Sequence, residues 1–184
     1  QGERPQILNS DRISKNIVDV LKDSIIYNCE SRIEMSEDGF YVPTGNGTEV
    51  AMLKFLQQNE IPAHELLVKR QREGEHECSI PFNSIRKRMT TVIRPYKGCD
   101  YVRVIVKGAP EYVMPMCTST FTEDGEVRAL GLGEGERILD NEIIHHFAKN
   151  GLRTLVYAYK DYDSDLWEMK QAENGNFVVE KDRE

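Results

Sequence analysis

Residues 81–108 read PFNSIRKRMTTVIRPYKGCDYVRVIVKG, and this stretch carries the clearest pattern in the chain. Apolar and polar residues alternate over Thr90–Arg94 and again over Tyr101–Lys107, which is typical of β-strands. A turn over residues 95–98 separates the two predicted strands. In the second strand three valines share one face, while Lys107 shares the other face with an arginine and aromatic and aliphatic residues.

The sequence on either side predicts helices and hairpins around these strands. The spacing of apolar residues and the capping signals predict helices at about 11–28, 46–56, 62–69, 110–116 and 134–150. Hairpins are predicted near 32–42 and 121–127, and further strands at 152–159 and 177–179. Because no β-α-β order recurs, we predict an α+β fold in which a mainly antiparallel twisted sheet is flanked by helices.

Composition limits the classes of function. The 184 residues carry a net charge of -7 at a pI near 5.2, which argues against nucleic acid as a partner. No apolar run approaches the roughly 18 residues that a membrane span needs. The four cysteines form no C-x-x-C pair, so reduced thiols are expected. We expect a single domain over residues 1–184, excised from a longer protein because the chain begins with Gln1.

A compact group of cations stands out against this acidic background. Arg86, Lys87 and Arg88 follow shortly after the aromatic ring of Phe82, and Lys107 lies at the end of a strand. A local positive cluster beside an aromatic ring indicates a site for an anionic ligand that carries a flat ring. The alternative is that these charges belong to a solvated turn.

Four motifs occur in order along the chain: TGNGTEVA at 44–51, FNSIRKRM at 82–89, KGAPE at 107–111 and GLRTL at 151–155. Together they resemble the nucleotide-binding (N) domain of P-type cation-transporting ATPases, most closely the plasma-membrane type of calcium pump. Each motif alone is weak, but four in the family's order at roughly its spacings are specific. The resemblance spans most of the chain.

The resemblance implies roles for the residues around the base. Phe82 would stack on adenine, an interaction worth roughly 1–3 kcal/mol by the magnitudes known for nucleic acids. Met89 would lie near the adenine, and Glu49, beside Thr48, would contact its amino edge. The residues themselves leave a core position open for Met89, and Glu49 also suits a capping box with Asn46 at the start of a helix.

The resemblance also implies roles toward the sugar and phosphates. Lys87 would line the nucleotide pocket, and Lys107 would lie near the adenine and sugar, with Gly108 leaving room for the ligand. Arg153, predicted at the start of a strand, would reach the phosphates or sugar, and Leu155 would pack nearby. A surface ion pair is the alternative for Arg153.

Pumps of this family phosphorylate an aspartate in a D-K-T-G-T motif, which this sequence does not contain. We therefore expect this chain to bind ATP without hydrolysing it and to hold no catalytic residue or metal ligand. Mg²⁺ would accompany the nucleotide in the full pump. The resemblance implies the phosphorylation and actuator domains as partners and a monomeric fragment. It also implies a place at the cytoplasmic face of a membrane, expected to be the plasma membrane, without direct membrane contact.

Other functions remain open at this stage. The chain could belong to a pump for another cation, or act as a non-catalytic docking module whose basic cluster binds an acidic partner. A free-standing nucleotide hydrolase is disfavoured, since no nucleophile or metal cluster stands out. Three further motifs are rejected: an EF-hand-like start at 161–165, a glycine-rich run at 131–136 without a P-loop lysine, and the adjacent His145 and His146.

Overall fold

The computed structural model describes residue 8 and residues 13–73, 76–94, 99–163, 169–171 and 177–179. The predicted turn at 95–98 and the first residues of the predicted helix at 11–28 lie outside the described residues. Five α-helices and ten strands occur within them. In chain order they are α1 (Lys15–Tyr27), β1 (Arg32–Met35), β2 (Tyr41–Thr44), α2 (Gly47–Gln58), α3 (Ala63–Glu73), β3 (His76–Asn83), β4 (Arg88–Ile93), β5 (Tyr101–Gly108), α4 (Pro110–Val113), β6 (Ser119–Phe121), β7 (Val127–Ala129), α5 (Glu134–Arg137), β8 (Val156–Asp163), β9 (Met169–Gln171) and β10 (Phe177–Val179).

The largest sheet is antiparallel and has the strand order β3-β4-β5-β8. In its register Met89 pairs with Lys107, and Lys107 pairs with Tyr157. The remaining strands form three two-stranded antiparallel sheets, β1-β2, β6-β7 and β9-β10. The fold class is therefore α+β with antiparallel sheets and flanking helices, as predicted.

Two hydrophobic clusters stabilise the described part of the fold. The larger one joins α1, α2 and α3 through fully buried side chains such as Ile25, Leu53 and Leu56. The smaller one comes from the sheet, where Cys78, Val92 and Val102 pack together. Burial of these apolar side chains is the main favourable term in folding. It fixes α1 and α2 against the end of the sheet where Lys107 lies.

Several predicted boundaries shift. The helix predicted at 62–69 continues to Glu73, and the strand predicted from Leu152 begins only at Val156. Arg153 therefore lies in an irregular segment before β8, and its predicted position at the start of a strand is wrong.

The predicted helix at 134–150 is present but irregular. After α5 the chain continues as a π-helix over Ile138–Phe147 and ends in a 3₁₀ turn, Ala148–Asn150. Gly151 follows in the left-handed conformation at φ 74°, as expected for the residue after a helix. The π-helix buries none of its residues fully. Among the described residues, no helix is long and apolar enough to cross a membrane.

Candidate functional site

A buried ion pair lies between α2 and β5. Lys107 Nζ is 2.6 Å from Glu49 Oε1, and the two residues are only 7% and 8% exposed. Glu49 comes from the first turn of α2, and Lys107 lies one residue before the end of β5. Two residues from separate predicted motifs, 58 positions apart, are thus in direct contact.

The second oxygen of the Glu49 carboxylate is fully engaged by backbone and side-chain donors. Oε2 accepts hydrogen bonds from Ser31 N at 2.8 Å, from Ser31 Oγ at 2.8 Å and from Glu30 N at 3.0 Å. Burial raises the pKa of Glu49, but the hydrogen bond and charge of Lys107 and the hydrogen bonds of Ser31 outweigh it, and the net pKa is lowered. Glu49 is therefore held as a carboxylate.

This carboxylate does not form the predicted capping box. Asn46 does cap α2, since its Oδ1 accepts from Thr48 N at 2.9 Å, but Asn46 N donates to Ser31 Oγ rather than to Glu49. The alternative role of Glu49 as the reciprocal cap is therefore wrong. Its side chain turns instead into the space between α2, the segment after α1 and β5.

Lys107 has a second partner in the segment that ends α1. Its Nζ donates to the backbone oxygen of Asn28 at 2.6 Å. The Asn28 side chain is fully buried and donates to the carbonyls of Met89 and Ile105, while its Oδ1 accepts from Thr91 Oγ1 at 3.3 Å. Asn28 thus fastens the end of α1 to β4 and to β5, the strand that carries the lysine.

Thr48 and Arg153 form a second contact at the surface. Arg153 Nη1 donates to Thr48 Oγ1 at 3.2 Å. Both residues line a cleft of about 670 Å³ between α1, α2 and the segment before β8. Leu155 and Tyr157 line it as well, and its remaining walls are mainly apolar: Leu21, Ile25, Ala51, Met52 and Phe55. Burial raises the pKa of the Tyr157 hydroxyl.

The turn between β3 and β4 is built by side-chain hydrogen bonds. Asn83 Oδ1 accepts from Ile85 N and Arg86 N, and Arg86 donates back to the Pro81 carbonyl. Lys87 lies in the left-handed region at φ 53°, which is uncommon outside glycine. Phe82 precedes this turn and is 57% exposed, so its ring is accessible to a ligand.

Gly108 is required by the chain itself. A Cβ at this position would lie 2.6 Å from the Lys87 carbonyl oxygen and 2.8 Å from Arg88 Cβ. The Lys87 carbonyl also accepts from Ala109 N at 3.0 Å. Glycine at position 108 therefore leaves space for the β3–β4 turn, in addition to any space that it leaves for a ligand.

Met89 is 2% exposed and pairs with Lys107 across β4 and β5. The register between β3 and β4 shifts between Ile80 and Asn83, so Pro81 and Phe82 both lie opposite Met89. Phe82, Met89 and Lys107 therefore occupy the same level on three adjacent strands. The burial of Met89 fits the core position that its sequence left open.

The nine predicted site residues thus fall into two groups, which meet where Met89 pairs with Lys107. Thr48, Glu49, Lys107, Arg153 and Leu155 lie at α2, the end of β5 and the segment before β8. Phe82, Lys87, Met89 and Gly108 lie at the β3–β4 turn and the strands beside it. Their roles toward a ligand stay predictions. Sequence reasoning missed three residues around the ion pair, Asn28, Ser31 and Tyr157, because nothing in their local spacing signals such distant contacts.

Among the residues that the structure describes, no group of three or more His, Cys, Asp or Glu side chains is arranged to hold a metal ion.

Comparisons with known proteins show the family of this chain. A family model described as P-type ATPase, cytoplasmic domain N, matches residues 16–182. Plasma membrane calcium-transporting ATPase 1 of Gallus gallus is 31% identical over 165 residues, which cover 83% of this chain and 13% of the relative. Probable calcium-transporting ATPase 9, plasma membrane-type, of Oryza sativa subsp. japonica is 28% identical over 172 residues, covering 91% and 15%.

Calcium-transporting ATPase PAT1 of Dictyostelium discoideum is 28% identical over 174 residues, which cover 92% of this chain and 14% of the relative. The chain therefore spans between 13% and 15% of the length of these three relatives. Since the family model covers nearly the whole chain, the protein belongs to the family of cytoplasmic N domains of P-type ATPases.

Proposed function

We propose that this chain binds ATP as the nucleotide-binding domain of a calcium-transporting P-type ATPase. The phosphorylated aspartate, the Mg²⁺ that accompanies the nucleotide and the calcium pathway would belong to the rest of the pump. The phosphorylation and actuator domains of that pump are the proposed partners. The names of the relatives support calcium as the transported ion, and the plasma membrane as the site of the pump.

One observation carries the proposal. Four of the residues that the family resemblance assigns to the nucleotide come from three distant parts of the chain and touch in two pairs, Glu49 with Lys107 and Thr48 with Arg153. These pairs span 58 and 105 positions of sequence.

The geometry supports different roles for the site residues along the length of the ligand. The exposed ring of Phe82 can stack on the base, while Lys107 and Glu49 offer one donor group and one acceptor group at the same level of the sheet. Arg153 and Lys87 are exposed cations suited to the sugar and phosphates. A single stacked ring and a few cations in an open site imply a dissociation constant on the order of 0.1 to several mM.

The proposed role of the isolated chain is binding without hydrolysis. Phosphoryl transfer needs a nucleophile in line with the γ-phosphate, and the family's D-K-T-G-T motif does not occur in this sequence. We therefore propose that the chain holds the adenosine end of ATP and presents the γ-phosphate to an aspartate in another domain. Incubation of the chain with Mg²⁺ and ATP should release no phosphate above the rate of a no-protein control.

The proposal is tested by NMR titration of the chain with ATP, GTP and inorganic triphosphate in parallel. Shifts at Glu49, Phe82, Lys87, Lys107 and Arg153 should be larger with ATP, and Phe82→Ala should weaken them. Phe40→Ala is a matched control, since Phe40 is a more exposed phenylalanine on the β1–β2 hairpin. Equal responses to ATP and triphosphate would instead favour a docking surface for acidic partners, and no response at several millimolar would exclude the nucleotide function.

A further inference from the structure

We infer that Ser31 is a positioning residue of the nucleotide site: it fixes the Glu49 carboxylate so that only Oε1 can accept a hydrogen bond from a ligand. The inference rests on the proposed function, and it adds a residue that lies in none of the four motifs. It also specifies the ligand chemistry, a purine whose six-membered ring carries an exocyclic amino group.

The hydrogen bonds of Glu49 divide unequally between its two oxygens. Oε2 accepts from Ser31 N, Ser31 Oγ and Glu30 N, and Cys29 Sγ lies 3.7 Å away as a weak fourth donor, so the acceptor capacity of that oxygen is used. Oε1 accepts only from Lys107 Nζ among the hydrogen bonds of the described residues. A ligand donor that reaches Glu49 must therefore approach Oε1, where it meets the lysine ammonium.

Ser31 is itself held in place on two sides. Its hydroxyl oxygen accepts from Asn46 N at 3.1 Å while it donates to Glu49, so it joins the start of β1 to the N-terminus of α2. The backbone at Gly45 approaches so closely that a Cβ there would lie 2.5 Å from Ser31 Oγ, and Gly45 has φ 129°. Ser31 is 6% exposed. This enclosure leaves the hydroxyl little freedom to turn away from the carboxylate.

A fixed carboxylate distinguishes purines by whether the group that faces it donates or accepts a hydrogen bond. The amino group of adenine donates, whereas the oxygen at the same position of hypoxanthine accepts and would face Oε1 without a proton between them. Without the Ser31 hydroxyl, Oε2 keeps its backbone donors at Ser31 N and Glu30 N but loses its hydroxyl donor, so the carboxylate is held less firmly in one orientation toward the ligand. The preference for adenine should therefore weaken when the serine hydroxyl is removed.

Other charged and titratable groups face Glu49 from the surrounding elements. Lys107 approaches from β5, Arg70 from α3, Cys29 from the segment after α1 and Tyr157 from β8. Burial raises the pKa of Cys29 to about 11, so this thiol is neutral near pH 7. Removal of the Ser31 hydroxyl leaves all four groups in place. A change at the Glu49 carboxylate can therefore be attributed to the lost hydroxyl.

The test compares Ser31→Ala with Ser36→Ala. Ser36 is a suitable control because its hydroxyl also accepts a backbone hydrogen bond, from Phe40 N at 3.1 Å, but in the β1–β2 hairpin. In the nucleotide-free chain, the Glu49 side-chain carbon is followed by NMR through an acid titration. The pKa of Glu49 should rise in Ser31→Ala and stay at the wild-type value in Ser36→Ala.

The second readout is the ratio of the dissociation constants for inosine triphosphate and ATP. Ser31→Ala should weaken ATP binding about three- to tenfold, the size of one ordinary hydrogen bond, and inosine triphosphate binding less than twofold. In a Glu49→Gln background the same serine substitution should leave the ratio unchanged. A purely structural role would weaken both nucleotides equally.

An unchanged Glu49 pKa together with an unchanged nucleotide ratio in folded Ser31→Ala would overturn the inference. If Ser31→Ala does not fold, Ser31→Cys, which keeps the volume but donates weakly, is measured instead under the same criteria. Failure of the proposed function is recognised separately, because the wild-type chain would then bind neither nucleotide. The titration of Glu49 without nucleotide would still decide whether Ser31 positions it.

Discussion

At the residue scale, Glu49 illustrates what sequence can and cannot specify. Its motif predicted both a ligand contact and a capping box, and local spacing alone favoured neither. The choice is made by Lys107 and Ser31, which lie 58 and 18 positions away and become neighbours only through the fold. Those partners could not be predicted from the sequence near Glu49, because they depend on how α2 packs against the sheet.

Glu49 and Lys107 have different hydrogen-bond partners, so substitution of each should lower the free energy of unfolding by a different amount. Glu49→Ala strands the buried ammonium of Lys107 and removes the acceptor for Glu30 N and Ser31, so it should lower the free energy of unfolding by about 3–5 kcal/mol. Lys107→Met leaves Glu49 with all of its donors on Oε2, and it should cost only about 1–3 kcal/mol. Urea unfolding of the two variants measures both values.

The double variant Glu49→Ala/Lys107→Met gives the control for this comparison. Because it leaves no uncompensated charge, its loss of stability should be smaller than the sum of the two single losses. Additive losses would mean that the two groups do not interact energetically in the folded chain.

At the element scale, strands were predictable where one face is buried. The alternation of apolar and polar residues predicted the ends of β4 and β5 to within about two residues, because burial of Val92 and Val102 imposes a period of two on the sequence. The start of β8 was misplaced because Leu152 continues the apolar pattern although the structure leaves it exposed. The π-helix was missed since Leu139, Ile143 and Phe147 recur every four residues, which is equally consistent with an α-helix.

The close contact between the β3–β4 turn and the end of β5 predicts a strict requirement for glycine at position 108. In Gly108→Ala the new Cβ would meet the Lys87 carbonyl, a backbone atom that can move only with its turn. We expect a loss of about 1–3 kcal/mol in the free energy of unfolding by thermal or urea denaturation. Gly47→Ala, where a Cβ meets nothing within 4 Å, should be neutral or slightly stabilising. Equal effects would show that the turn does not depend on this contact.

The left-handed conformation of Lys87 allows its charge to be separated from its backbone strain. Lys87→Gly should be more stable than Lys87→Ala by about 1 kcal/mol, because glycine adopts φ 53° without a steric penalty. Both variants lack the ammonium group, so both should weaken ATP binding to the same extent by NMR titration. ATP affinity that followed stability instead of charge would argue against a direct role for the lysine.

At the scale of the whole molecule, the register of the sheet brings the two groups of site residues to one end. Met89, Lys107 and Tyr157 lie in one row across β4, β5 and β8, and α1 reaches the same row through Asn28. The family motifs predicted a set of nucleotide-binding residues, which stays a prediction, and the alternation predicted the strands. Strand order and register come from long-range pairing, which no single motif specifies.

Because Glu49 is tied to this packed arrangement, the stability of the whole chain should depend on pH in a defined way. The folded pKa of Glu49 lies below its ordinary value of 4.5, so the unfolded chain binds protons more readily. The stabilisation that Glu49 provides is complete above about pH 4.5 and is lost as the pH falls through the folded pKa. Glu49→Gln should therefore lose less stability than wild type between pH 7 and pH 4.

Asp23 is a suitable control, because its contribution to stability should change with pH in the opposite direction. Burial raises its pKa above the ordinary 3.8 despite the neighbouring Lys22 and Arg103, so its protonation in acid favours the folded chain. Asp23→Asn removes that compensation and should lose more stability than wild type between pH 7 and pH 4. Urea unfolding of wild type and both variants at the two pH values measures these differences. Identical losses in all three proteins would mean that neither carboxylate couples folding to pH.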